Sequence, residues 1–205
     1  EAGEKITYFK AEEEKDEADF IAREINILKN GNLKYSDFAV LYRTNAQSRS
    51  LEDVFARRGI PYRVLSGMRY YDRKEVKDMM SYMRLVINPK DDLALTRIIN
   101  EPKRGIGAKT LEKLFTLAEV RGQSLMESLW EDEVLDTLPK KAFEDVKRMA
   151  RTIELCREEA DSLSVADIYD QLLVNTGYLS ALEAENTVEA ESRIENLMEF
   201  KSVIE

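Results

Sequence analysis

The sequence contains no histidine and a single cysteine, Cys156, among its 205 residues. Without imidazole no site can use a histidine base or a histidine metal ligand, which excludes Ser-His-Asp catalysis and histidine-containing zinc sites. One cysteine forms neither a disulfide within the chain nor a cysteine-rich zinc module. Any catalysis would therefore depend on carboxylates, lysines or a phosphate-binding loop.

Glycine, proline and long apolar runs are also scarce. The 8 glycines and 4 prolines are scattered, and we find neither a repeat nor a low-complexity segment, so the composition indicates a compactly folded chain. No stretch approaches the roughly 20 apolar residues that span a bilayer. The first residue, Glu1, opens a charged segment unlike a secretory signal. We therefore expect a cytoplasmic protein without membrane contact.

Charge is unevenly distributed along the chain, whose net charge is −9. Residues 36–113 carry 16 Lys and Arg against 10 Asp and Glu, whereas residues 114–205 carry 9 against 21. A basic centre within an acidic protein is the kind of asymmetry that marks a polyanion-binding face. Ordinary solvated surface charge explains the same counts equally well, so charge alone does not show whether the chain binds a polyanion.

Hydrophobic patterns change character along the chain. The β-rich run at 5–10 and the apolar run at 38–42 are typical of strands, and a helical stripe follows each of them. A third strand-like run, at 62–65, follows the break at Gly59-Ile60-Pro61. Every pattern beyond residue 67 is helical. Ser164 with Asp167 also fits a capping box at the start of one of these helices.

These patterns predict a parallel α/β unit over residues 1–87, followed by a helical domain over residues 88–205. The chain does not begin with methionine, and it stops within an amphipathic pattern that has no C-cap signal. About three predicted strands are also fewer than the roughly 4–6 of a typical sheet. We therefore expect a segment of a longer protein, with an incomplete sheet and a helical domain truncated at its C-terminus.

The first candidate site is the run Arg104-Gly105-Ile106-Gly107-Ala108-Lys109-Thr110. A P-loop needs glycine directly before the lysine, where this chain has Ala108, so a nucleotide site fits poorly. A helix-hairpin-helix fits better, because glycines permit a tight turn and close backbone approach. Its backbone N–H groups would face a DNA phosphate, with Lys103, Arg104 and Lys109 adding charge. A plain helix–helix turn is the alternative.

Two further candidates lie in the predicted α/β unit. The run from Tyr42 to Arg49 follows a strand of buried type, and its Arg43 and Asn45 side chains can donate to phosphates or bases. The run from Gly67 to Glu75 combines basic residues with adjacent aromatics, as surfaces that bind single strands do. A helix cap at the first run and buried tyrosines at the second are equally good interpretations.

Four segments together resemble consecutive parts of the UvrD/PcrA family of superfamily 1 DNA helicases: FAVLYRTNAQSR, GIPYRVLSGMRYYDRKEVKDMMSYMRL, IINEPKRGIGAKTL and SRIENLMEF. They occur in the family's order, cover nearly the whole chain and are nearest to the PcrA branch, with Rep-type relatives as the alternative. The resemblance implies that residues 1–87 are part of a RecA-like domain 2A. Residues 88–205 would then be most of a helical domain 2B that contains a helix-hairpin-helix.

The same resemblance implies where DNA is bound. Arg43, Asn45 and Arg69 match positions on the track for single-stranded DNA. The hairpin that holds the backbone of duplex DNA is matched by Lys103, Arg104, Gly105, Ile106, Gly107, Lys109 and Thr110.

The resemblance also implies an activity for the parent protein. That protein would be a 3′–5′ DNA helicase of repair and replication, dependent on ATP and Mg²⁺, with protein activators acting through domain 2B. The family's Walker A loop, its Mg²⁺-binding acidic motif and its other catalytic motifs do not occur in this sequence. We therefore expect no catalytic, cofactor or metal residue in this chain, and no ATPase activity from the chain alone.

Two other classes of function stay open at this point. A stand-alone helical DNA-binding module without enzymatic activity would explain the basic centre. An all-α protein-interaction domain would explain the acidic C-terminal part.

Overall fold

The computed structural model describes residues 5–29, 31, 33–65, 69–131 and 138–204. Its regular structure over these ranges is helical throughout. The chain divides into two compact units, residues 1–73 and residues 74–205. None of the described helices combines the length and the apolar character needed to cross a membrane.

The first unit is built on two packed helices, α1 (Glu14–Lys29) and α2 (Ser48–Arg57). Short 3₁₀ turns lie at Tyr35–Asp37, Asn45–Gln47 and Tyr70–Asp72. Small and branched side chains recur along one face of each helix, so the two helices bury a shared apolar stripe. The buried core of this unit consists of Ala18, Ala22, Ile25, Val54, Phe55 and Ile60.

The predicted RecA-like parallel sheet is not present in the described residues, so the α/β prediction for residues 1–87 is wrong. The apolar runs at 5–10 and 38–42 are not helical, but neither pairs with a strand anywhere in the described ranges. Their side chains include fully exposed Ile6 and Leu41, which is 93% exposed. A strand needs the backbone groups of a neighbour to complete its ladder, and residue preference alone does not supply that neighbour.

The second unit is all-helical where the structure describes it. Helix α3 contacts α4, α7, α8 and α10 and therefore lies at the centre of this unit. Its buried apolar side chains include Val76, Met79, Tyr82 and Leu85. The helices are α3 (Lys74–Ile87), α4 (Asp92–Ile98), α5 (Ala108–Arg121), α6 (Leu125–Ser128), α7 (Lys140–Glu158), α8 (Val165–Asn175), α9 (Tyr178–Glu185) and α10 (Val188–Ile204).

Polar side chains of α3 bind other helices of the second unit. The Asn196 amide donates to the Glu75 carboxylate at 2.6 Å, and the Tyr178 hydroxyl donates to Asp78 Oδ2 at 2.8 Å. Arg97 Nε lies 2.7 Å from Asp78 Oδ1, an ion pair without the alignment of a hydrogen bond. Helix α3 thus belongs to the second compact unit, and the units divide after residue 73, whereas the sequence patterns predict a domain boundary after residue 87.

Helix α8 begins with the capping box that the sequence predicts. Ser164 Oγ accepts from the Asp167 backbone N–H at 3.1 Å, and Asp167 Oδ2 accepts from the Ser164 backbone N–H at 3.2 Å. The Ser164 hydroxyl also donates to Asp167 Oδ2 at 2.7 Å, and this bond, with that from the Ser164 backbone N–H, lowers the pKa of the Asp167 carboxyl. The capping box is confirmed, and it satisfies two of the backbone donors that a helix start leaves without partners.

Candidate nucleic-acid interface

The candidate hairpin forms the connection between α4 and α5. Gly105 has a φ of +80° within this connection, and Gly107 is the residue that precedes the first turn of α5. A φ of +80° lies in the left-handed region that glycine adopts without steric cost, so Gly105 allows the chain to turn sharply. Among the described residues no side chain caps the start of α5. The Thr110 N–H donates to the Gly107 carbonyl at 3.0 Å, whereas those of Ala108 and Lys109 stay available to an external acceptor.

Two side chains hold this turn from the inside. Asn100 Oδ1 accepts from the backbone N–H of Arg104 at 2.8 Å and from that of Ile106 at 3.1 Å. The Ile106 side chain is buried and anchors the turn in the apolar core. Asn100 is not among the residues predicted from the sequence, although an asparagine shortly before a proline favours a turn.

Arg104 lies at the centre of this turn with its side chain directed inward. The residue is only 5% exposed, and its guanidinium donates both to backbone carbonyls and to one hydroxyl. The acceptors are the carbonyls of Ile98 (2.9 Å), Ile99 (3.3 Å), Glu101 (3.0 Å) and Thr176 (3.0 Å), and the hydroxyl of Tyr82 (2.9 Å).

These acceptors explain why a charged side chain is stable in this buried position. The carbonyls of Ile98 and Ile99 end α4, and Thr176 follows the last residue of α8. Helix C-termini carry partial negative charge and unsatisfied carbonyl groups, which a guanidinium can both neutralise and bind. Arg104 therefore joins the ends of two helices, and its charge does not face the surface of the turn.

The outer side of the turn presents backbone and lysine side chains. Lys103 and Lys109 are exposed, and neither has an ion-pair partner in the described part of the chain. Gly107 is exposed as well, and a Cβ added there would meet no atom of the described residues beyond its chain neighbours within 4 Å. Thr110 is half-buried in the first turn of α5. An anion could therefore approach the backbone at Gly107 with a lysine before it and another after it in the chain.

In the first unit, Arg43 and Asn45 lie on the loop that leads into α2. Gln47 Oε1 accepts from the backbone N–H groups of Arg43 at 2.9 Å and Thr44 at 3.1 Å, so a local cap shapes this loop. Arg43 and Asn45 are exposed. The alternative interpretation expects an asparagine or serine of this run to cap a helix, whereas the cap is made by Gln47 on the 3₁₀ turn before α2. Both predicted donors lie at the surface.

The segment that contains Arg69 has one buried and one accessible tyrosine. Tyr70 is fully buried, whereas its neighbour Tyr71 is 38% exposed. Arg69 is exposed, with its guanidinium 5.8 Å from the centre of the Tyr62 ring. The two interpretations of this run, core tyrosines and a surface aromatic beside positive charge, therefore each apply to one tyrosine.

A buried polar network brings this segment to the loop of Asn45. The buried Arg73 guanidinium donates to the Asn45 carbonyl at 2.8 Å and to Ser48 Oγ at 2.9 Å. The Ser48 hydroxyl donates to buried Glu52, whose carboxylate also accepts from the Tyr70 backbone N–H at 3.2 Å. Arg73 thus connects the two candidate runs of the first unit. Sequence patterns give no signal for it, because its acceptors lie far away in the chain.

Comparison with known proteins reveals the family of this chain. The profile of the UvrD-like helicase C-terminal domain matches residues 1–205. The chain belongs to this family. It is 43% identical over 201 residues to the ATP-dependent DNA helicase PcrA of Staphylococcus aureus. It is 42% identical to the PcrA of Staphylococcus epidermidis, also over 201 residues. Each alignment covers 98% of this chain and 27% of the relative, so the chain spans about a quarter of the length of these relatives.

Membership of the UvrD-like family confirms the resemblance given by the four sequence segments. Within this UvrD-like chain the predicted DNA-binding residues differ in their accessibility. Arg104 and Ile106 are internal supports of the turn. The exposed members are Arg43, Asn45, Arg69, Lys103, Gly105, Gly107 and Lys109.

Within the described ranges no group of three or more Cys, Asp or Glu side chains could hold a metal ion. The chemistry that these residues can perform is donation to an anion from exposed backbone and cationic side chains.

Proposed function

We propose that the turn between α4 and α5 binds the phosphate backbone of duplex DNA in a 3′–5′ DNA helicase. The open outer side of Gly107 carries this proposal, because it exposes backbone donors between Lys103 and Lys109 with no side chain in front of them. The relatives, which are named as ATP-dependent DNA helicases, support the choice of DNA as the anion.

The chemistry of the turn suits phosphate in three respects. The N–H groups of Ala108 and Lys109 have no acceptor among the described residues, and the positive end of the helix dipole favours an anion at the same place. Lys103 and Lys109 add charge that releases counterions from DNA. Contacts to phosphate carry no base information, so we expect the turn to bind duplexes of different sequence equally.

For the first unit we propose that Arg43, Asn45 and Arg69 contact single-stranded DNA. These side chains are exposed, and the loop of Asn45 is held to the segment after Arg69 by the buried Arg73. Arginine and asparagine donate to phosphates or bases, and Tyr71 adds a partly exposed ring for stacking. The test measures the affinity of an Arg43→Ala/Arg69→Ala variant for oligo-dT and, separately, for Mg-ATP. A loss of affinity for oligo-dT alone indicates a nucleic-acid phosphate, whereas a loss for Mg-ATP indicates a nucleotide phosphate.

We assign the N-terminal part of the chain to domain 2A and the C-terminal part to domain 2B. We place the protein in the cytoplasm.

We also infer that the 205-residue chain alone does not hydrolyse ATP, because its sequence contains none of the family's catalytic motifs. Phosphoryl transfer needs a phosphate cradle, bound Mg²⁺ and a positioned water. DNA-stimulated phosphate release above that of a mock preparation would contradict this inference.

The experiment that tests the duplex site uses a Lys103→Ala/Lys109→Ala variant. Its affinity for two hairpin duplexes of different sequence is measured by fluorescence anisotropy over a salt series. We expect weaker binding to both duplexes and a salt slope that is smaller by about 2, since each lost phosphate contact removes about 0.9.

A matched control changes the charge by the same amount elsewhere in the second unit. Arg151→Ala/Arg157→Ala removes two exposed cations from α7, each of which lies in an ion pair with a glutamate. We expect this control to retain the wild-type slope. Unchanged affinity and slope in the lysine variant would contradict the proposal and leave a plain helix–helix turn.

A further inference from the structure

We propose that Lys140 and Lys141, at the beginning of α7, form a second contact to the phosphate backbone of the same duplex. This inference rests on the proposed function of the turn and extends the duplex-binding surface to another helix. The partner that it implies is duplex DNA bound through its backbone, independently of sequence.

The position of α7 against the turn is the first observation behind this proposal. A Cβ added to Gly105 would lie 3.8 Å from the Cβ of Ala142, a buried residue in the first turn of α7. Lys140 and Lys141 directly precede Ala142 in the chain. Because consecutive Cα atoms are about 3.8 Å apart, the Cα atoms of Lys141 and Lys140 lie within about 11 Å and about 14 Å of the Gly105 Cα.

That separation fits the dimensions of a duplex. Double-stranded DNA carries one negative charge per roughly 1.7 Å of helix axis, so a span of about 11–14 Å faces several phosphates. A duplex held at Gly107 by the turn would therefore bring further phosphates close to the first turn of α7.

The second observation is that these two lysines have no partner among the described residues, although they lie in an acidic part of the chain. Residues 114–205 carry 9 Lys and Arg against 21 Asp and Glu, so carboxylates are abundant there. Lys147 instead lies against the Phe143 ring, with its Nζ 4.9 Å from the ring centre. The six basic residues of this part that do lie in ion pairs are Arg121, Arg148, Arg151, Arg157, Arg193 and Lys201.

Lys140 and Lys141 are the remaining two basic residues of that part. Both are exposed, and neither has a carboxylate partner in the described part of the chain. The first turn of α7 also contains no acidic residue. Two neighbouring ammonium groups without carboxylates repel each other, so a phosphate that neutralises them is bound favourably.

A second contact would fix the direction in which the duplex lies on the second unit. Contact at a single turn leaves a duplex free to swing about that point. Contacts at the turn and at α7 would hold the duplex at two places on the second unit and so fix its direction. Lys103 and Lys109 would provide charge at the first place, and Lys140 and Lys141 at the second.

The test compares four versions of the full 205-residue chain with wild type. These are Lys140→Ala/Lys141→Ala, Lys140→Arg/Lys141→Arg, Lys103→Ala/Lys109→Ala and the control Arg151→Ala/Arg157→Ala. Arg151, the nearer residue of the control pair, lies 11 residues after Lys140 and therefore about 16 Å further along α7, at 1.5 Å per residue. Anisotropy on a hairpin duplex gives affinity and salt slope for each, and circular dichroism melting verifies that each is folded.

We expect Lys140→Ala/Lys141→Ala to weaken duplex binding roughly 10- to 50-fold at about 0.1 M salt and to reduce the slope by about 2. The arginine variant keeps the charge and should bind within about threefold of wild type, because phosphate contacts depend mainly on charge. All four variants should melt at the wild-type temperature, because every substituted side chain is exposed.

Each other outcome has a defined meaning. If Lys103→Ala/Lys109→Ala weakens binding while Lys140→Ala/Lys141→Ala does not, the second contact is refuted and the proposed function stands. If Lys140→Ala/Lys141→Ala loses no more affinity than the Arg151→Ala/Arg157→Ala control, the effect is one of net charge and the second contact is again refuted. If neither lysine pair affects binding, both proposals fail.

Discussion

Lys103 and Arg104 are adjacent cations, and replacing each by alanine should affect a different property of the protein. Lys103 is exposed without an ion-pair partner in the described residues, whereas Arg104 is 5% exposed and donates to five acceptors. Sequence alone makes both of them candidates for DNA contact. The structure predicts that Lys103 acts on binding and Arg104 acts on stability.

The cost of Arg104→Ala can be worked out from its acceptors. The Glu101 carbonyl keeps a donor in the Tyr82 hydroxyl, and the Ile98 carbonyl keeps one in the Glu101 backbone N–H. The Thr176 carbonyl loses a buried bond of 3.0 Å, and that of Ile99 loses a longer one. Two such losses at about 1–3 kcal/mol each, with loss of charge at two helix ends, cost about 3 kcal/mol.

Thermal melting and duplex anisotropy together test this prediction. A loss of about 3 kcal/mol lowers the melting temperature by roughly 6–12 °C for a chain of this size. Arg104→Ala should show that shift and, below its melting temperature, keep the wild-type salt slope. Lys103→Ala should melt within about 1–2 °C of wild type and lose about 1 from the slope. An Arg104→Ala variant with unchanged melting and a reduced slope would refute the inward role of this arginine.

Three further predictions concern stability. Gly105→Ala should lose about 1–2 kcal/mol in urea unfolding, because φ is +80° there, and an unchanged midpoint would contradict the turn geometry. Ser164→Ala should lose about 1 kcal/mol through the missing cap, and a neutral effect would show that the capping box contributes nothing. Burial raises the pKa of the Asp78 carboxyl above 3.8, although Tyr178 and Arg97 oppose this. Folding therefore favours its protonated form, so the stability of wild type relative to Asp78→Asn should fall as pH rises from 3.8 through the higher folded pKa. A wild-type stability that rises relative to Asp78→Asn over that range would contradict the assignment.

Local signals predicted the helices of the second unit well. The stripe of Val146, Met149 and Ile153 lies on the buried side of α7, because a period of 3.6 directly reports the face that a helix buries. The capping box of Ser164 and Asp167 needs only residues three apart. Such features depend on neighbours in the chain, which a sequence displays.

Features that depend on distant partners could not be predicted in this way. The runs at 5–10 and 38–42 have strand-like composition, but a strand exists only with a neighbour, and the described residues provide none. Asp78 binds Tyr178, which is 100 residues away in the chain, and this bond helps to place α3 in the second unit.

The candidate site shows the same division. The sequence indicates a turn at Gly105 and Gly107, since glycine preferences are local. It does not reveal that Arg104 is buried, because the Thr176 carbonyl that accepts from it is 72 residues away. Nor does it show that Lys141 lies near the turn, because the approach of Gly105 to Ala142 is a tertiary contact.

The central claim, that the backbone at Gly107 binds duplex phosphate, is tested most directly by the duplex affinity of Gly107→Val. A Cβ at this position meets no atom within 4 Å in the described part of the chain beyond its chain neighbours, and the φ of −86° suits any residue. The change in stability should therefore stay near 1 kcal/mol or less. The added side chain would stand where a phosphate must approach, and we predict a loss of affinity of roughly tenfold with all charges retained. A folded Gly107→Val variant that binds duplex DNA as tightly as wild type would contradict the claim.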